Sequence, residues 1–422
     1  MMGALRVDDL SLSINKKGEG TLDASRMLRL ELLDADKTFK LLGYGLKLHS
    51  LVEDLIPTLE HSFLHSQIKE LVETYYDIGK VTDVFEIFGG YINRSFGIYT
   101  EKEGKRYRYF VRKYKKDIEE KEIMLEHNLI TCARANGLSI AAGLIPAKNG
   151  RTFVKLTEGL DDNSQDWYFA IYDFLEGEDK YTWVENECTD EEYASAAEVL
   201  AVFHNSVRNF DPQGLERVEL KILDLLPTLP KLFESYAAMD IKNRFHDYYK
   251  KNLPAILNVI NKIKIPAEDV AKMPLNPIHC DFHPGNLKFK DNKVVGIFDF
   301  DWSKIDLRIF EIGLALVYCC SSWVDELDGV LHLDRCEVFL QAYQKKLREL
   351  GGLPPLNETE KRYLPEMLNA GNIYLIFWCL RSYYADLSLN VYEYLAYLQH
   401  QVKCMNWVEQ HRQEILDMVE AI

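Results

Sequence analysis

One stretch of the chain concentrates oxygen-bearing side chains at short spacing. It reads Ile278-His279-Cys280-Asp281-Phe282-His283-Pro284-Gly285-Asn286, then Leu287–Lys290, Asp291-Asn292 and Val294–Asp301. Asp291-Asn292 is a turn-forming pair between two apolar-containing runs, which predicts a β-hairpin. Folding the chain about that turn sets Asn286 opposite Asp299 and leaves Asp281 one short loop away. An amide oxygen beside a carboxylate suits a hard divalent cation, and such a cation holds nucleotide phosphates. The separate carboxylate of Asp281 is then free to accept or orient a hydroxyl. This division between positioning and charge neutralisation is what phosphoryl transfer requires. The plainer alternative is an Asx-rich loop before a hairpin, since Asp, Pro, Gly and Asn are all turn formers. Asp299 speaks against it. A charge ending the apolar run Val294–Phe298 has no structural use unless something cationic pairs with it.

These residues need elements to hold them. Residues 1–45 are weakly patterned and read as an extension. Apolar spacing over Leu51–Tyr76 predicts a helix. Val84–Phe88 and Phe96–Tyr99 read as strands flanking Gly89-Gly90, and Tyr107–Tyr114 as a third after the turn at Lys102–Lys105. Ile118–Ala135 is helical, and Thr152–Leu156 and Trp167–Leu175 are two further strands. Helices then dominate, over 190–208, 240–263, 307–320, 335–350, 359–386 and 391–417, with one hairpin at 286–300 interrupting them. The expected organisation is a β-rich lobe over 46–176 and a helical lobe over 177–422.

The pattern H-x-D-x-x-x-x-N followed by I-x-D-F-D resembles the catalytic core of the aminoglycoside phosphotransferase and choline kinase superfamily. The resemblance implies an α+β, two-lobed protein-kinase-like fold: a five-stranded antiparallel N-lobe with one main helix, and a mainly helical C-lobe. It implies ATP between the lobes, Mg²⁺ held by Asn286 and Asp299, Asp281 as catalytic base, and His279 bracing the loop. Asp301 would touch metal or substrate, or else cap the following turn. Upstream, Phe88–Phe96 is similar to the family's nucleotide loop, which assigns Gly89, Gly90 and Asn93 to the nucleotide. Tyr109–Tyr114 resembles the strand that carries an ATP-binding lysine. Strand alternation puts Arg112 on the face of Phe110 and Lys113 on the other, leaving open which one faces the nucleotide. Glu126 matches the helix glutamate that pairs with that cation. Ala170–Gly177 resembles the inter-lobe hinge and places Asp173 at the nucleotide. Glu311, in the block after Asp306, departs from the family's commonest residue and is left out of the site.

The bulk properties narrow the partners. A net charge of −16 over 422 residues argues against nucleic acid, which needs a basic face. The eight cysteines match no zinc or C-x-x-C spacing and read as reduced thiols of a cytoplasmic protein. The apolar run Ile309–Cys320 is too short to span a bilayer, so no membrane association is expected. The expected partner is a small hydroxylated substrate. Trp378, Arg381, Tyr383, Tyr384, Asp386, Tyr392, Glu393, Tyr394 and Tyr397 are candidates to hold it, which favours an amino-bearing alcohol over a neutral sugar. A nucleotide-binding scaffold without turnover, and a protein kinase, are the alternatives. The second lacks an activation segment, because helix follows Asp301 almost at once.

Overall fold

A computed structural model of the protein describes residues 11–14, 20–23, 65–87, 93–158 and 165–422. Gly89 and Gly90 lie outside them, as does most of the extension. The chain forms two compact units, Met1–Leu71 and Val72–Ile422. In the first, β1 (Ser11–Ile14) pairs antiparallel with β2 (Gly20–Asp23). The helix expected over Leu51–Tyr76 is described from residue 65, and is helical over 65–75 (α1).

The second unit opens with an antiparallel sheet of β3 (Lys80–Ile87), β4 (Arg94–Lys102), β5 (Lys105–Lys113), β6 (Val154–Glu158) and β7 (Gln165–Asp173). Its order is β3-β4-β5-β7-β6, so β5 and β7 are central. Helix α2 (Glu120–Ala135) covers one face with Ile123, Leu129, Ile130 and Ala133, all essentially buried. This is the five-stranded layer with one main helix that the sequence predicts.

The helical part begins with α3 (Asp190–Ser206), started by a capping box in which Thr189 and Glu192 satisfy each other's backbone amides. It continues through α4 (Ile222–Leu225), α5 (Leu229–Ala237), α6 (Arg244–Lys262), α7 (Ala267–Val270), α8 (Arg308–Cys320) and α9 (Leu333–Leu350). It ends with α10 (Glu358–Arg362), α11 (Leu364–Ala385), α12 (Val391–Gln410) and α13 (Arg412–Glu420). The helix expected over 359–386 is thus two, parted before Pro365, which takes a first-turn position of α11. The one expected over 391–417 breaks at His411, whose ring stacks on Trp407 with centroids 4.0 Å apart.

Two antiparallel ladders sit among the helices rather than one. The hairpin β9 (Leu287–Lys290) and β10 (Lys293–Ile297) was expected; the pairing of β8 (Leu275–Ile278) with β11 (Lys304–Leu307) was not. Pro277 within β8 hides it from a strand pattern. Asp291 and Asn292 both take positive φ, 50° and 59°, the conformation that suits a two-residue hairpin turn. A bulge between Val294 and Gly296 shifts the register, so Asn286 faces Phe298, whose N–H donates to the Asn286 carbonyl at 3.1 Å. Strict pairing about the turn would set Asn286 opposite Ile297, so Asp299, expected opposite Asn286, lies one residue beyond the one that faces it.

Helices α8 and α11 pack backbone to backbone. A Cβ on Gly313 would lie 2.6 Å from the Met367 carbonyl group, and one on Gly371 would lie 3.1 Å from the Leu314 Cα. Gly313→Ala should therefore destabilise the fold by about 1–3 kcal/mol through overpacking, read as a lower denaturation midpoint at unchanged m. An unchanged midpoint would show that the two helices can part without cost.

Candidate active site

The loop after β8 is bent by Cys280, a non-glycine residue at φ 64°. Left-handed backbone here costs about 1–2 kcal/mol and must be held from outside. Glu311 on α8 holds it, accepting the Cys280 N–H at 2.6 Å through one carboxylate oxygen. The other oxygen meets His204 Nε2 at 2.5 Å, and His204 Nδ1 meets the Tyr343 hydroxyl at 2.8 Å. This chain is buried throughout. Glu311, which the sequence reading leaves aside, is a positioning residue for the loop. A charged residue inside the apolar run Ile309–Cys320 was the signal that could have found it.

The bend delivers Asp281 into a cleft. One carboxylate oxygen accepts from Tyr318 Oη at 2.9 Å and the other from Asn286 Nδ2 at 3.0 Å. His283 Nε2 lies 3.6 Å from the second oxygen. Burial pushes the Asp281 carboxyl up, but His283, and after it His279 and Tyr318, outweigh it and hold the group below its usual range. His279 does brace this region: its Nε2 faces the Phe298 carbonyl at 2.9 Å, and burial lowers its pKa.

Beyond β10, Asp299 also adopts a left-handed conformation, at φ 65°, and opens the short turn Phe300–Trp302. Its carboxylate accepts from Arg112 at 2.8 Å, and Arg112 pairs on its other side with Glu126 at 3.5 Å. Arg112 and Glu126 are both buried. Tyr114 and Tyr172 each donate to Glu126, at 2.9 and 3.0 Å, and His127 closes the cluster at 3.0 Å from Tyr114 Oη. Burial, with Arg112 nearby, pushes His127 down to about 3, so it is neutral here. Lys113 points to the opposite face of the sheet, 3.9 Å above the Trp167 ring.

Asp301 lies within the turn rather than capping it. Asn93, from the segment before β4, donates to its Oδ2 at 2.6 Å, tying sheet to hairpin. Its Oδ1 is buried without a hydrogen-bond partner among the described residues. Burial, and then the Asp299 carboxylate beside it, push Asp301 up to about 7. Arg112 and Arg217 pull the other way without cancelling that push.

Asp281, Asn286, Asp299, Asn93, Arg112, Glu126 and Asp173 all line one cleft of about 530 Å³. The Asp173 carboxylate, at the end of β7, lies 3.5 Å from Arg134 on α2. One wall of the cleft is aromatic: Trp183, Trp378, Tyr397 and Tyr318. The Trp183 and Tyr397 ring centroids are 4.4 Å apart, and those of Trp183 and Trp378 are 6.1 Å apart. Trp183 carried no signal in the sequence. Of the expected charged residues, Asp386 accepts instead from Ser388, and Glu393 from Tyr397 Oη at 2.6 Å.

Residues 84–350, which hold the sheet, the loop and the hairpin, match the model of the APH phosphotransferase enzyme family. The chain belongs to this phosphotransferase family. A homoserine kinase of Burkholderia ambifaria is 26% identical over 192 residues, 40% of this chain and 54% of that protein. The match thus spans about half the length of that relative. Among solved structures, a microcompartment-associated aminopropanol kinase has a TM-score of 0.56 at 14% identity, covering 83% of this chain and 98% of that one. Amicoumacin kinase in complex with AMP-PNP, Ca²⁺ and Ami has a TM-score of 0.56 at 15% identity, covering 83% and 93%. At such identities the likeness to these solved structures is one of fold, and the fold is protein-kinase-like.

Proposed function

We propose that this phosphotransferase is an ATP-dependent kinase that phosphorylates the hydroxyl of a small amino-bearing metabolite. The observation that carries this reading is Asp281: an ionised carboxylate aimed by Tyr318 and Asn286 into the cleft that also holds Asp299 and Asp301. Asp281 accepts the proton of the acceptor hydroxyl as its oxygen bonds to the γ-phosphorus. The bond from that phosphorus to the bridging oxygen breaks, and ADP leaves.

Asn286 and Asp299 fit a magnesium ion, with Asp301 beside them. The unpartnered Asp301 oxygen and the repulsion between the two carboxylates are what a cation would relieve. Among the described residues no cluster of three His, Cys, Asp or Glu side chains could hold a metal. Magnesium fits that poverty, since it commonly takes one or two carboxylates plus substrate phosphates. Once bound, it would neutralise phosphate charge. Arg112, held by Glu126, would reach the phosphates, and Gly89, Gly90 and Asn93 would close over them. Asp173 stands at the hinge. The AMP-PNP and Ca²⁺ of the amicoumacin kinase complex are consistent with these roles.

Aromatic faces beside Asp281 suit an ammonium group through cation–π attraction. The homoserine and aminopropanol kinases both act on amino-bearing alcohols, which supports the same choice here. No described helix is long and apolar enough to cross a membrane. All eight cysteines are free, which fits the cytoplasmic placement we propose.

The test is ADP release with Mg·ATP over amino alcohols, hydroxy amino acids and neutral sugars. Turnover is expected with amino-bearing acceptors. Asp299→Ala should abolish it, together with most of the Mg²⁺-dependent rise in melting temperature that ATP confers. Turnover of neutral sugars alone would sink the acceptor class. A full Mg²⁺ response in Asp299→Ala would remove that residue from the metal site.

A further inference from the structure

One polar group in the cleft has no part in phosphoryl transfer as described. Gln401, on α12, lines the cleft and is 3% exposed. Its Oε1 is buried and has no hydrogen-bond partner among the described residues. An amide oxygen shut away from water without a donor is costly, and such groups are rare in folded proteins unless something completes them. Other polar atoms that line the cleft from the helices are engaged. Tyr318 Oη donates to Asp281, Tyr374 Oη to Glu219 at 2.9 Å, and Cys379 Sγ to the Tyr394 carbonyl at 3.5 Å.

The surroundings of Gln401 decide which donor fits. It follows Tyr397 by one turn of α12, so the two share a face. The Tyr397 ring centroid lies 4.4 Å from that of Trp183 and 6.4 Å from that of Trp378, and all three rings line the cleft. The turn of α12 that carries Gln401 is pinned through its neighbour. His400 stacks on Trp323 with centroids 3.6 Å apart, and its ring nitrogens meet Asp328 at 2.6 Å and Ser321 at 3.0 Å. The last torsion of a glutamine side chain is broad, so the oxygen can turn to an entering donor while the stem stays packed. Aromatic faces attract an ammonium whether or not it is methylated. An amide oxygen distinguishes the two, because it bonds only to N–H.

We infer that Gln401 is a specificity-determining residue of the acceptor pocket: its Oε1 accepts an N–H of the acceptor's ammonium group, so that the enzyme rejects alcohols whose nitrogen is fully methylated. This deepens the kinase function proposed above and rests on it. The aromatic wall supplies the attraction for positive charge, and the amide oxygen reads whether that charge carries a proton. A quaternary nitrogen presents only C–H groups and leaves the buried oxygen unpaired. A site built to bond an N–H excludes the analogue lacking it more sharply than an apolar pocket excludes one extra methyl.

The experiment is ADP release with Mg·ATP over methylation series of ethanolamine, 3-aminopropan-1-ol and homoserine, each with its nitrogen primary, monomethylated, dimethylated and trimethylated. The first three members keep an N–H on the protonated nitrogen and the last keeps none, while every step adds the same bulk. In the wild type, kcat/KM in the best series should change little over the first two steps and fall by about tenfold to a hundredfold at the third. Gln401→Met has similar length and no acceptor for an N–H, and should erase that last step. Gln401→Glu keeps an oxygen acceptor and should preserve it. The step is a ratio within one preparation, so a loss of folded enzyme cancels. An even decline along the series, or full use of the trimethylated member, overturns the contact and leaves the kinase reading standing. A step of undiminished size in Gln401→Met assigns the discrimination to the shape of the aromatic wall and also overturns it. Turnover confined to acceptors without nitrogen overturns the contact and the acceptor class together.

Discussion

Asp281→Asn lowers kcat by about 10²–10⁴-fold, the range of a general base, while Mg·ATP binding stays near wild type. The two side chains are nearly isosteric, and Tyr318 can still donate to an oxygen at the position it now contacts at 2.9 Å. The other position is less forgiving. Asn286 Nδ2 donates there at 3.0 Å, and an amide nitrogen would face it donor to donor. A mispaired polar contact of this kind costs about 1–3 kcal/mol, so a modest fall in melting temperature accompanies the catalytic loss. Single-turnover kinetics beside a nucleotide titration separate the two effects, and near-wild-type turnover would take Asp281 out of the chemistry. The pH profile follows from the sign of the shift. Because His283, with His279 and Tyr318, outweighs burial and holds the carboxyl below its ordinary range, the base is ionised at neutral pH. Its acid limb in kcat/KM should then lie below that of an ordinary carboxylate.

Arg112→Ala should cost about 3–5 kcal/mol of stability, the usual penalty for removing one partner of a buried ion pair. Glu126 is 3% exposed and would lose its only charged partner among the described residues, while Asp299 would lose the fork that fixes its carboxylate. Burial already pushes Glu126 up against the pull of Arg112, so in the variant it takes up a proton instead of staying charged. ATP affinity should fall with stability. Arg112→Lys should be intermediate, because one ammonium cannot reproduce the planar fork that reaches both Glu126 and Asp299. Lys113→Ala should do little, since that ammonium lies over Trp167 on the other face, a contact worth about 0.5–1 kcal/mol. Urea denaturation and nucleotide titration of the three variants give the ranking. A larger loss from Lys113→Ala than from Arg112→Ala would reverse the assignment of this strand.

What short range controls was legible before any coordinates. Alternation along β5 separates Arg112 from Lys113 because successive strand residues must face opposite sides, and Arg112 does meet Glu126. Asp291-Asn292 predicts its hairpin because both residues tolerate positive φ. The loop, the two hairpin aspartates and the order of strands before helices depend on neighbours in the chain. The contacts that aim these groups do not. Asn93 to Asp301, Arg112 to Asp299 and His204 to Glu311 join residues far apart in sequence, and no local pattern encodes such meetings. The bulge after Val294 sets Asn286 opposite Phe298, rather than the Ile297 of strict pairing about the turn or the expected Asp299, and a one-residue slip leaves no mark in an apolar run. The aromatic wall needed Trp183, from the segment between β7 and α3, to meet Trp378 of α11 and Tyr397 of α12. Sequence by itself determined which side chains could perform phosphoryl transfer and which strands and turns carry them. Tertiary structure alone decided which of them converge, because the contacts that join them run between strands, loops and helices distant in the chain.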